Sequence, residues 1–128
     1  MELFEATNLR NIEQVTLLIE RGADVNVKDV FGLTPLHHAV ANRYSEIVVL
    51  LLKGGANVDA QTNEGLTPLY YAAWRGPVEI VKLLLESGAN TERTSENDKP
   101  RNWAINEEID SIFEEYESFT DIKEPGCE

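Results

Sequence analysis

Apolar residues recur along this chain at a fixed interval. Leu17-Leu18-Ile19, Leu50-Leu51-Leu52 and Leu83-Leu84-Leu85 lie thirty-three residues apart, and Gly22, Gly55 and Gly88 keep the same spacing. A third series, Leu3/Ala6, Leu36/Ala39 and Leu69/Ala72, runs in register with both. Such a period marks a chain of repeated units, each burying its apolar face against the next. The segments EIVVLLLK (46–53) and EIVKLLLE (79–86) carry apolar residues at helical spacing round much of their circumference, which predicts helices sandwiched between neighbours.

A shorter helix is predicted ahead of each. In Thr34-Pro35-Leu36 and Thr67-Pro68-Leu69, threonine suits the N-cap and proline the first helical position, where a missing N–H costs nothing. The small residues Ala39 and Ala72 allow close approach of neighbouring helices, and NRYSE and RGPVE turn the chain into the second helix, with Pro77 in its opening turn. Gly55 and Gly88 supply a left-handed stop after the long helices. The connectors GADVNVKDVFG (22–32) and ANVDAQTNEG (56–65) read as extended, turn-bearing loops.

Thr34-Pro35-Leu36-His37-His38-Ala39 resembles the T-P-L-H-x-A signature of ankyrin repeats, and Thr67-Pro68-Leu69-Tyr70-Tyr71-Ala72 matches it with tyrosine in the histidine slot. The resemblance implies an all-α solenoid of stacked helix-turn-helix units joined by β-hairpin-like loops. On this reading residues 1–119 form one ankyrin-repeat domain: an N-terminal cap repeat (1–28), full repeats at 29–61 and 62–94, and a shortened C-terminal cap repeat (95–119). A flexible acidic tail (120–128) follows. In the cap, Pro100 opens a helix with Trp103 and Ala104, and Ile105, Ile109, Ile112, Phe113 and Tyr116 keep helical spacing.

The net charge of −12 argues against nucleic acid and anionic membrane as partners, because phosphates are neutralised by lysine and arginine. Residues 107–128 hold nine Asp or Glu against one Lys, so two thirds of that charge is local. The single Cys127 permits no intrachain disulfide, the start of the chain lacks a signal peptide's basic and apolar regions, and no apolar run approaches spanning length. A cytoplasmic monomer is expected, with the nucleus as the other compatible location.

No catalytic or metal-binding constellation emerges: the two histidines are adjacent, Cys127 has no positioned partner, and phosphate loops and calcium loops are missing from the sequence. The chain is expected not to be an enzyme and to need no cofactor or metal. The resemblance assigns His37 and Tyr70 to a slot that bridges adjacent repeats. His38 and Tyr71 are left as a polar edge of the concave side.

The same resemblance places partner binding on that side, at hairpin tips and first helices. Val30, Phe31, Leu33, Ala41 and Asn42 hold those positions in one repeat, and Asn63, Glu64, Leu66, Tyr71, Trp74 and Arg75 in the next, with Asn8 and Leu9 extending the row. Large apolar residues at Phe31, Leu33, Leu66 and Trp74 suggest binding anchors, because exposed scaffold positions are more often charged. Alternatively, Val30 and Phe31 tuck between hairpins and Trp74 covers a helix turn. The partner is expected to be another protein.

A different reading makes the chain a charge-matched inhibitor, of the immunity-protein type, that holds a basic partner through its acidic C-terminal cap. A third makes Asn26, in LLIERGADVN, the substrate of an asparaginyl hydroxylase acting on ankyrin repeats. The structural alternative for Asn26 is a hydrogen-bonding role in its own turn. Tyr116 in EEYESF resembles a kinase site or sorting signal, while its register with Ile112 and Phe113 favours packing.

Overall fold

Among the described residues, six helices in three antiparallel pairs follow the period. The computed structural model describes residues 2–75 and 77–89, apart from the side chain of Arg75. The pairs are α1 (Leu3–Asn8) with α2 (Ile12–Glu20), α3 (Pro35–Ala41) with α4 (Ser45–Lys53), and α5 (Pro68–Arg75) with α6 (Val78–Glu86). Helices α1, α3 and α5 pack side by side as one layer, and α2, α4 and α6 as the other. Among the described residues there is no strand, so the connectors are hairpin-like in path only. The C-terminal cap, the acidic tail, Tyr116 and Cys127 lie outside the described residues.

Local chemistry accounts for where α3 and α5 start. Thr34 Oγ1 accepts from the His37 N–H at 3.3 Å, and His37 Nδ1 accepts from the Thr34 N–H at 3.1 Å. This is a capping box in which imidazole does the work usually given to Glu or Gln. Thr67 Oγ1 accepts from the Tyr70 N–H at 3.3 Å. Pro77 stands just ahead of α6 at its N-cap, not within the first turn.

One closure ends the helices of both layers. After α2, α4 and α6, glycines at φ +88° (Gly22), +98° (Gly55) and +94° (Gly88) turn the chain left-handed. The next N–H then reaches back to the third-last helical carbonyl: Ala23 to Leu18 at 2.9 Å, Ala56 to Leu51 at 3.0 Å and Ala89 to Leu84 at 3.0 Å. After α1 and α3 the same bonds form, Asn11 to Ala6 and Tyr44 to Ala39, both at 2.9 Å. There the left-handed residues are Arg10 (φ +57°) and Arg43 (φ +63°), which carry a Cβ into a region that disfavours one.

The core is a ribbon between the two layers. Leu36, Ala39, Val40, Ile47, Val48, Leu51, Leu69, Ala72, Ile80 and Leu84 are completely buried. Ala39 and Ala72 sit in the crowded layer of first helices, where methyl side chains permit the close packing of α3 against its neighbours. The apolar excess of α4 is explained by its contacts with α3, α2 and α6.

Candidate partner-binding surface

The candidate surface is built on two hairpin-like connectors with a shared internal frame. Asp29 Oδ1 accepts from the N–H groups of Phe31 (2.9 Å) and Leu33 (3.0 Å); thirty-three residues on, Thr62 Oγ1 accepts from Glu64 and Leu66, both at 3.2 Å. Gly32 (φ +82°) and Gly65 (φ +83°) make the left-handed bend at each tip. Carboxylate and hydroxyl fill one slot because either oxygen can accept two amide hydrogens.

Side-chain and backbone bonds then lash one connector to the next. The Asn63 N–H donates to the Phe31 carbonyl and its Nδ2 to the Val30 carbonyl, each at 3.0 Å. Nearer the glycine stops, Asn26 Oδ1 accepts from the Asn57 N–H at 2.7 Å and Asn26 Nδ2 donates to the Gly55 carbonyl at 3.3 Å. Lys28 Nζ donates to the Gln61 carbonyl at 3.2 Å. Asn26 is therefore a bridge between units. The bond inside its own turn comes from Asp24, whose Oδ1 accepts from the Asn26 N–H at 2.9 Å, and the expectation of a purely local role for the Asn26 side chain is corrected accordingly.

His37 is fully buried behind this frame, and its Nε2–H donates to the Leu66 carbonyl at 2.9 Å. With Nδ1 accepting from Thr34, the ring is the neutral Nε2–H tautomer. Burial pushes the imidazole pKa down to about 4, and the Leu66 carbonyl bond only partly offsets it. His38, one residue on, faces outward and meets Asp29 Oδ2 at 3.1 Å. Burial raises the Asp29 carboxyl, but the Leu33 amide, His38 and the Phe31 amide outweigh it and hold the group below its usual range.

With their carbonyls committed to Asn63, the two tip residues turn their side chains to solvent: Val30 is 82% exposed and Phe31 68%. The alternative in which they tuck between hairpins does not hold. Trp74 is 49% exposed on α5, and Leu9, at the end of α1, 63%. Leu33 and Leu66 are half-buried, so of the four anchors expected from the sequence Phe31 and Trp74 are the exposed pair. The Leu33 amide and the Leu66 carbonyl are tied inward, to Asp29 and His37, which draws both side chains toward the frame.

Asn42 and Glu64 are exposed, and Asn42 Nδ2 donates to the His38 carbonyl at 2.8 Å. Tyr71 is half-buried, with its ring edge-on to His37 at 5.8 Å and to Tyr70 at 5.9 Å. Phe4, missed in the sequence, meets His38 edge-on at 5.3 Å. It stands thirty-three residues before His37, so the period held the signal although the residue type differs.

Among the described residues, no group of three His, Cys, Asp or Glu is placed to hold a metal ion, and no helix is long and apolar enough to cross a membrane. A family model described as ankyrin repeats in three copies matches residues 3–95. The chain belongs to the ankyrin-repeat family. A search of curated proteins finds no match. The matched region spans the three helix pairs of the ankyrin stack. Ankyrin repeats generally mediate protein–protein interaction, and the family is typically a non-enzymatic module.

Proposed function

We propose that this ankyrin domain binds a partner protein on its concave side, with Val30, Phe31 and Trp74 as apolar anchors and Asn42, Glu64 and Arg75 as polar contacts around them. The observation that carries this reading is the exposure of Val30, Phe31 and Trp74 on the hairpin tip and α5, where Val30 and Phe31 are more exposed than the other exposed large apolar residues, Leu9 and Leu17. Apolar anchors with a polar surround are how interfaces concentrate affinity. The tips are also pre-ordered: Phe31 and Leu33 hang from one carboxylate, and Asn63 fixes the tip carbonyls, so little side-chain or loop entropy is lost on docking. A rigid module of this kind masks or tethers its partner.

The test is affinity capture from source-cell lysate, comparing the wild type with a Phe31→Ser/Trp74→Ala double variant of unchanged helicity and melting temperature. A partner retained at high salt and lost with the double variant is the expected outcome. A partner held equally by both proteins and released by salt would overturn it and move binding to the acidic residues 107–128.

A further inference from the structure

Position five of the first-helix pattern is held by Glu5, His38 and Tyr71, thirty-three residues apart on α1, α3 and α5. Two of these side chains are fixed by edge-on rings from the preceding unit, Phe4 on His38 and His37 on Tyr71, so this row is a firm aromatic floor. Carboxylates flank it. Glu5 and Glu64 are exposed, and Asp29 is half-buried against His38. Glu64 and Asp29 both act on the Tyr71 hydroxyl: burial first, then Glu64, Tyr70 and Asp29, raise its pKa. In the sequence, Arg75 follows Tyr71 by four positions. Lys28 is committed to the Gln61 carbonyl.

Building on the concave-side reading above, we infer that this face selects protein segments with a lysine or arginine next to an apolar residue. The cation seats between Glu64 and the Tyr71 ring, and the apolar neighbour meets Phe31 and Trp74. A purely aliphatic segment covering Phe31 and Trp74 would strip water from Glu64 without giving it a partner, which is unfavourable. An acidic segment would add like-charge repulsion at Glu5, Asp29 and Glu64. A cation answers both charge and ring, pairing with the carboxylate and lying on the aromatic face. The selectivity thus comes as much from what Glu64 rejects as from what it attracts.

The experiment is a selection of displayed random short peptides on the intact chain at physiological salt, repeated on Glu64→Gln and on Phe31→Ser/Trp74→Ala, each first shown to melt like the wild type. Peptides enriched on the wild type should carry Lys or Arg at a constant offset from an apolar residue. A synthesised winner should bind Glu64→Gln roughly three- to tenfold more weakly. Its citrulline or norleucine version should be equally weak on both proteins. Enriched peptides that depend on Phe31 and Trp74 but show no cation preference, or lose nothing with Glu64→Gln, would overturn this inference and leave the concave-side reading standing. Peptides indifferent to Phe31 and Trp74 would overturn that reading itself, and no enrichment on the wild type would overturn both.

Discussion

The Nε2–H of His37 donates to the carbonyl of Leu66 at 2.9 Å, a bond from the unit of α3 to the start of the unit of α5. It requires a neutral ring, since the other nitrogen accepts from Thr34. With a folded pKa of about 4 against about 6.5 in the unfolded chain, the unfolded state takes up a proton first as pH falls. The stabilisation is complete above pH ~6.5, declines between pH ~6.5 and ~4, and amounts to about 3 kcal/mol over that window. Denaturant midpoints across this range should fall more steeply for the wild type than for His37→Gln, although the variant starts lower. Equal slopes would show that His37 is not the group responsible. Asp29, held below its usual range, loses its own contribution at the acid end as it protonates.

Thr7 is completely buried on α1, and its Oγ1 has no hydrogen-bond partner. Valine has nearly the same shape without the hydroxyl. Thr7→Val should therefore stabilise the fold by about 1–2 kcal/mol, read as a higher denaturant midpoint with unchanged m-value. A loss of stability would mean that the hydroxyl has a partner after all.

Arg10 and Arg43 occupy the same left-handed position in successive units, but their surroundings differ. Arg10 places its guanidinium 5.4 Å from the centre of the Tyr44 ring, whereas the ring's counterpart for Arg43 is Pro77. Arg43→Gly should relieve strain and stabilise by about 0.5–1 kcal/mol after the greater freedom of glycine in the unfolded chain is allowed for. Arg10→Gly should come out near neutral, because the cation–π contact is lost as strain is relieved. Thermal melts of the two variants side by side decide the point.

Gly32 and Gly55 are both left-handed, and only one of them is crowded. A Cβ on Gly32 would lie 2.6 Å from both Asn63 N and Asn63 Oδ1; one on Gly55 would meet nothing within 4 Å. Gly55→Ala should cost about 1–2 kcal/mol, the backbone term alone. Gly32→Ala should cost about 2–4 kcal/mol, since it also separates Asn63 from the Val30 and Phe31 carbonyls. Similar losses in the two variants would mean that the Asn63 lashing contributes little.

The architecture was legible because burial and period reinforce each other. Leu36, Leu51, Leu69 and Leu84 could be read as interior from helical spacing alone, and Thr34-Pro35 and Thr67-Pro68 marked helix starts by local chemistry. The family follows from the same residues. The surface was harder to read. Leu33 and Leu66 look like tip residues in the sequence, and their half-buried state depends on bonds from Asp29 and His37 that act across the fold. Asn26 looked like a turn residue because asparagine often is one. Its actual partners, Gly55 and Asn57, are 29 and 31 positions away, and no local pattern announces them. The left-handed arginines went unseen because glycine is the residue expected at such a position.

The bonds that lash one connector to the next join residues only 29 to 33 positions apart, from Asn26–Gly55 to Val30–Asn63. No distant ends need to meet before those contacts form, so the entropy of loop closure is spent one unit at a time. During synthesis, the first two helix pairs can lock together as soon as the second connector has left the ribosome, with the third pair then adding to a surface already in place. The protein can thus assemble in the order in which it is made.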